Sequence, residues 1–168
     1  MGCGVVLMHS RGRPDEWKTL PFLGPAITEL TCRELGACAH AAETSGITHD
    51  RIVIDPGFGF GKNRQDNYFL LAHLQELQDL GYPVLIGTSR KSFLGHCVSR
   101  TAEPVGPERR LHGTLASVAA CILKGAHIVR VHDVEAAREI AAVCDEILQA
   151  EKTSTTEVQR KSGDPVIG

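Results

Sequence analysis

The sequence predicts an α/β chain built from four strand-helix units around a parallel sheet, a (βα)4 pattern. Two observations carry this. Four short apolar bursts recur, β-branched and without polar alternation, as strands of a parallel sheet read when both faces are covered. Between them lie segments of helical length with apolar residues on one face, and alternating β and α implies a parallel sheet. Glycine supports the pattern: 17 occur in 168 residues, many at the ends of the bursts, where strand-to-helix turns are tight.

The elements follow in order. Val5-Val6-Leu7-Met8 is the first strand. Residues 25–44 form the first helix, although Glu34 interrupts its apolar stripe. Ile52-Val53-Ile54 is the second strand, and residues 67–80 form a helix with Leu70, Leu74 and Leu77 at i, i+4, i+7. Val84-Leu85-Ile86 is the third strand, and in residues 110–124 Leu111, Leu115, Val118 and Ile122 share a face. Ile128-Val129-Arg130-Val131 is the fourth strand, and residues 134–148 carry Val134, Ala137, Ala141, Cys144 and Leu148 on one stripe. Gly46, Gly81 and Gly125 stand where the first three helices should stop. Two architectures fit the pattern, half of a (βα)8 barrel or a small doubly wound sheet. From Glu151 the chain turns polar, so residues 1–150 are expected to form the domain and 151–168 a disordered tail.

Composition narrows the partners. A net charge of -2 gives no electrostatic footprint for nucleic acid. No apolar run approaches the ~20 residues of a membrane helix, and Met1 to Met8 lacks the features of a secretory signal. The six cysteines form no C-x-x-C pair. Most lie in apolar stretches as small hydrophobes, which suits reduced thiols in the cytoplasm.

Chemistry is expected at the C-terminal strand ends, the active face of parallel α/β folds. Asp55-Pro56-Gly57-Phe58-Gly59-Phe60-Gly61-Lys62 closes the second strand. Pro56 biases Asp55 towards extended backbone at the rim, and the glycines allow a tight turn close to a ligand. The plainer alternative is a glycine turn with a capping Asp. Gly87-Thr88-Ser89-Arg90-Lys91-Ser92 closes the third strand, with paired cations beside hydroxyls that suit an anion, or else a solvated basic turn. Arg130 and His132 alternate about Val131, so period 2 puts them on one face. The alternative there is a structural ion pair of Arg130 with Asp133 or Glu135. The remaining histidines lack a second ligand at metal spacing.

Four segments together resemble the dihydropteroate synthases. Met8-His9-Ser10-Arg11-Gly12-Arg13-Pro14 is similar to their M-H-x-x-G-x-P segment, and Asp55 to Lys62 to their D-P-G-x-G-F-G-K loop. Ser89-Arg90-Lys91-Ser92 resembles their S-R-K-S segment, and Gly125 to Val134 their final G-A-x-I-x-R-V-H-D-V strand. The resemblance implies a pterin-binding TIM barrel of which this chain supplies strands five to eight. It implies condensation of 6-hydroxymethyl-7,8-dihydropterin pyrophosphate with 4-aminobenzoate to 7,8-dihydropteroate and pyrophosphate, on a sulfonamide target of folate biosynthesis. Lys91, Arg130 and His132 would be catalytic. Asp55 would accept from the pterin's ring N–H and amine, and Lys91 would donate to its oxygen and ring nitrogen. Arg130 and His132 would hold the pyrophosphate with Ser92 nearby, and Met8, Phe60 and Gly87 would shape the walls.

The family's first four strands have no counterpart here. In the family they carry an Asn for pyrophosphate and Mg²⁺, two aminobenzoate loops, and further pterin ligands. The expectations are therefore a truncated chain with little activity alone, no metal ligand in this half, and a homodimer or pairing with a complementary half. The alternatives are an inactive pterin-binding fragment and a methyltetrahydrofolate methyltransferase-type barrel. The latter releases no pyrophosphate, which the Ser89-Arg90-Lys91 segment and the Arg130/His132 pair argue against.

Overall fold

The structure, a computed structural model, describes residues 2–162. Strands β1 (Val5–Met8), β2 (Ile52–Asp55), β3 (Leu85–Ile86) and β4 (Ile128–Val129) alternate with helices. These are α1 (Ala26–Thr44), α2 (Arg64–Ala72), α3 (Ser92–Val98), α4 (Leu111–Leu123) and α5 (Val134–Ser162). β1 pairs with β2 and β3 with β4, both parallel. A single parallel bridge from Ile54 to Val84 joins the two pairs. The sheet order is thus that of the sequence, β1-β2-β3-β4.

The register sets the rim. Met8 lies opposite Asp55 at the last position of the first pair, and the Arg130 N–H continues the second ladder by donating to the Ile86 carbonyl at 2.8 Å. The strand ends expected to carry chemistry therefore share one end of the sheet.

The core lies between sheet and helices. Ile27 and Leu35 of α1, Ile52 and Ile54 of β2, Leu70 of α2 and Val118 of α4 are fully buried. Each such side chain stabilises the fold by roughly 1.5–3 kcal/mol relative to exposure. Glu34, which interrupts the α1 stripe, reaches across to β1's end, where it accepts from the Nε2–H of His9 at 3.1 Å. A polar residue in that face is thus a contact to the chain beyond β1.

The outer strands differ from expectation. β2 and β3 are covered on both faces, but Val6 (53% exposed), Met8 (39%) and Ile128 (41%) are open to solvent. Their apolar character suits a covered face that the described residues do not cover. Arg130 and Val131 also fall beyond β4, which ends at Val129.

The helices depart in three places. α2 starts at Arg64, because the Asn63 side chain accepts from the Asp66 N–H at 2.9 Å, as an N-cap does. It stops at Ala72, and the chain continues as a 3-10 helix from Leu74 to Leu80. At the break the His73 ring Nδ1–H donates to the Phe69 carbonyl at 2.9 Å. α3 is unforeseen: it is one short element with no repeating stripe, anchored by buried Phe93 and Leu94. α5 runs on past residue 150 to Ser162, so the polar change at Glu151 does not end the helix. Glu, Lys and Gln are good helix formers and can continue a solvated helix. Residues 163–168 of the expected tail lie outside the described residues.

Candidate functional site

A cleft of ≈ 350 Å³ opens at the shared strand ends, lined by Phe60, Gly87, Ser89, Lys91, Arg130, Val131 and His132. Five of the residues singled out in the sequence line it together: Phe60, Gly87, Lys91, Arg130 and His132. Asp55 joins them through Arg130, whose guanidinium donates to Asp55 Oδ2 at 3.2 Å. Met8 stands beside Asp55 in the ladder but is not among the lining residues. Ser92 is exposed at the start of α3 and also lies off the lining.

Asp55 is the buried member, 2% exposed, whereas the Arg130 side chain is 61% exposed. Burial pushes the Asp55 carboxyl above its ordinary value. The Gly57 N–H, which donates to Oδ1 at 2.7 Å, and the charges of Arg130, Lys62 and Lys91 pull the other way. Opposite charge and hydrogen bonding thus offset part of the cost of burying the carboxylate. Lys91 is lowered by burial and by Arg130, against Asp55, and its ammonium rests 4.1 Å above the centre of the Phe60 ring, in cation–π range.

The ion pair suggested for Arg130 with Asp133 or Glu135 does not form. Asp133 instead takes a two-pronged contact from Arg90, at 2.6 and 3.1 Å. Arg90 holds positive φ, 55°, and its N–H donates to Thr114 Oγ1 at 2.9 Å. That strained turn directs one cation of the pair to α5, leaving Lys91 alone to face the cleft. Gly87 lies close under Arg130: a Cβ there would stand 3.0 Å from the guanidinium, which would have to give by a few tenths of an ångström.

Ser89 was within the expected segment but had no assigned role. Its hydroxyl lies 2.8 Å from His132 Nδ1 and accepts from the His132 N–H at 3.1 Å. Nδ1 is thereby engaged, and Nε2 is the ring nitrogen left for a ligand. The signal was present, since Ser89 lies two residues before Lys91 at the same strand end.

Val131 also lines the cleft, between Arg130 and His132. The alternation expected of a strand lapses because β4 has already ended.

The glycine loop over β2 is held from several sides. Gly57 and Gly61 have φ of 65° and 66°, and a Cβ would meet the His9 carbonyl oxygen at 1.9 Å and that of Arg11 at 1.8 Å. The Asn67 side chain accepts from the Gly59 N–H at 2.7 Å and donates to the carbonyls of Lys62 and Asn63. Beneath the loop lies a buried polar layer of His9, Lys62 and Asp66. Asp66 Oδ1 accepts from the N–H groups of Leu23 and Gly24, fastening the loop before α1. Burial, reinforced by Lys62, lowers His9 to about 4, so near neutral pH it acts as a hydrogen-bonding imidazole.

Among the described residues no three His, Cys, Asp or Glu side chains converge as a metal site. All six cysteines are unpaired, and among the described residues no helix is long and apolar enough to cross a membrane.

Comparison with known proteins matches residues 1–132 to a family described as pterin-binding enzymes. The dihydropteroate synthase of Escherichia coli K12 is 38% identical over 156 residues, covering 93% of this chain and 53% of that protein. A Yersinia pestis dihydropteroate synthase structure with a sulfonamide drug complex superimposes with a TM-score of 0.81 at 35% identity, covering 88% of this chain and 52% of the other. A Xanthomonas albilineans dihydropteroate synthase in complex with 7,8-dihydropteroate gives 0.73 at 38% identity, over 86% and 50%. The chain spans about half the length of the curated relatives it matches.

Proposed function

The chain belongs to the pterin-binding enzyme family, and on that premise we propose that it carries the pterin and pyrophosphate side of a dihydropteroate synthase. The single observation that supports this most is the cleft itself, where buried Asp55 sits beneath a rim of Lys91, Arg130 and His132. That arrangement suits a flat ring with adjacent donors at one end and a polyanion at the other.

The chemistry follows from the residues. A pterin presents a ring N–H beside an exocyclic amine, and ionised Asp55 accepts from both, as carboxylates accept the Arg fork. Lys91 donates to the ring's oxygen and neighbouring nitrogen. Phe60 and Gly87 bound the ring, Phe60 by stacking. Arg130 and the Nε2 of His132 hold the pyrophosphate, with Ser89 fixing the imidazole and Ser92 at the edge of the site. The reaction displaces pyrophosphate from the pterin's methylene carbon by the aminobenzoate nitrogen. Stabilising the departing negative charge with fixed cations is the residues' main contribution, together with holding the carbon in line.

Mg²⁺ would supply further neutralisation of the pyrophosphate. The donor set does not fit it unaided: Asp55 is already engaged by Arg130 and Gly57, and the remaining rim groups are cations, a hydroxyl and an imidazole.

The four units would form strands five to eight of a closed barrel, with the other half supplied by a second chain or segment. Outward-open Val6, Met8 and Ile128, and outer strands with no further neighbour among the described residues, favour such pairing, because free edges invite other strands. Sedimentation velocity of the purified chain is expected to show a dimer or larger species. A single monomer across a wide concentration range would count against the pairing. Unpaired cysteines fit a reducing cytoplasm.

The decisive experiment is calorimetric titration of free 6-hydroxymethylpterin and of its pyrophosphate, with a pyrophosphate-release assay alongside. The expected result is binding of both, with little turnover until the complementary strands are supplied. Arg130→Ala should weaken the pyrophosphate ligand about tenfold or more, as loss of a charge-assisted bond of about 1.5–3 kcal/mol implies, while sparing the free ring. Equal loss for both ligands, or binding of neither, would overturn the assignment. Ring binding with no turnover even when paired would leave a pterin-binding fragment as the function.

A further inference from the structure

We propose that Lys62 is a positioning residue for the cleft: its ammonium, threaded beneath the glycine loop, ties the carbonyls of Gly57 and Phe60 and so sets where Asp55 and Phe60 stand on the rim. Its ligand-binding test rests on the reading of the cleft as a pterin site, whereas its loop test does not.

The geometry is a clamp. Lys62 Nζ donates to the Gly57 carbonyl at 2.9 Å and to the Phe60 carbonyl at 3.3 Å. These carbonyls belong to the two ends of one turn, which the Phe60 N–H closes by donating to the Gly57 carbonyl at 3.1 Å. From Gly57 the constraint passes directly to the site, because the Gly57 N–H donates to Asp55 Oδ1. From Phe60 it passes through the ring beneath Lys91 and edge-on to Trp17, 5.4 Å between centres. The Arg11 N–H also donates to the Phe60 carbonyl, at 3.3 Å, so loop and first strand end meet at that atom.

Lys62 is only 7% exposed, and among the described residues it has no ion pair within 4.0 Å. A buried ammonium held by carbonyls alone is costly, and an apolar side chain of similar length would fill the space at lower cost. What the ammonium adds is the fixed turn.

The charged and titratable groups around it come from every neighbouring element. They are His9 and Arg11 after β1, Glu34 on α1, Asp55 at the end of β2 and Asp66 on α2. Burial lowers Lys62 to about 7, against the pull of Asp55 and with Arg11 adding to the lowering.

Two consequences of one sign follow. Unfolded, the amine titrates at about 10.4, so between the two values the unfolded chain binds more protons. Global stability owed to Lys62 therefore rises with pH above about 7, and the full burial penalty applies below it. Lifting the loop likewise returns the amine to water and towards its free value, so the closed loop gains on the open one as pH rises above about 7. A lysine with no hold on the loop would move only the first quantity.

The chain has one tryptophan, Trp17, which reports on Phe60. The experiment compares wild type and Lys62→Met from about pH 6 to about pH 9. It reads Trp17 fluorescence, exchange protection of the Gly57–Gly61 amides, thermal unfolding and affinity for 6-hydroxymethylpterin. In wild type, loop protection should rise about tenfold between about pH 7 and about pH 9, and the melting temperature should hold or rise with it. Lys62→Met should show low, pH-independent loop protection, cooperative unfolding, and about tenfold weaker pterin binding. Wild-type protection and fluorescence in Lys62→Met at the high end of the pH range would overturn the proposal. If that variant does not fold, the wild-type titration decides: loop protection that ignores pH would overturn it. Should wild type bind no pterin while its loop titrates as described, the clamp stands and the assigned ligand falls.

Discussion

Gly61→Ala is expected to dislodge the loop over β2 and to destroy the cleft. Gly61 has φ of 66°, and an added Cβ would fall 1.8 Å from the Arg11 carbonyl oxygen, which is backbone and cannot rotate aside. A left-handed conformation costs a non-glycine residue roughly 1–2 kcal/mol before any clash. Relief would require the loop to lift from the chain after β1, breaking the Arg11-to-Phe60 backbone bond and moving the carbonyls that Lys62 holds. The expected outcome is a fall in stability of more than about 2 kcal/mol, seen as a lower midpoint in urea, together with loss of ligand binding. Gly46→Ala is the matched control: its φ is also positive, 93°, but a Cβ there meets nothing within 4 Å. If Gly61→Ala and Gly46→Ala cost the same, close packing of the loop is not what fixes it.

Asp55→Asn should weaken 6-hydroxymethylpterin by about ten- to a hundredfold while leaving the fold intact. The amide keeps the size of the carboxylate but loses its charge, and one of its two ends becomes a donor. The ring N–H and amine would then face one acceptor in place of two. Loss of a charge-assisted pair is worth about 1.5–3 kcal/mol, which sets the range. Arg130 loses its partner as well, but as its side chain is largely open to water that loss costs little. Isothermal titration at neutral pH, with the thermal midpoint as a check on folding, reads both quantities. Unchanged affinity would remove Asp55 from the site.

Much of this arrangement was legible in the residues. Four β-branched bursts located the strands, and Pro56 after Asp55 fixed the carboxylate at a strand end. Phe60, Gly87, Lys91, Arg130 and His132 were named from three separate segments, and the fold brings them to one cleft. What stayed hidden has physical reasons. α3 is too short to show a repeat. Burial of the outer strands depends on what lies beyond them, which local pattern does not report. The partners of charges were hidden for the same reason: Arg130 meets Asp55, 75 positions away, while nearby Asp133 goes to Arg90. Sequence proximity suggested the wrong pair because the turn between β4 and α5 sends Arg130 to Asp55 and Asp133 to Arg90. Lys62 read as the end of a motif, since only the folded loop shows its amine underneath.

The unequal exposure of the Asp55–Arg130 pair has a consequence for selectivity. With no ligand the pair is matched, so any guest must exchange partners with it. A bare phosphate or pyrophosphate would recruit Arg130 but offer nothing to Asp55, which would keep only the Gly57 N–H as hydrogen-bond donor in a site 2% open to solvent. A ring with two donors recruits Asp55 and releases Arg130 into water at little cost. On the proposed reading, the cleft would disfavour bare phosphates and favour a guest that brings donors and phosphate on one molecule.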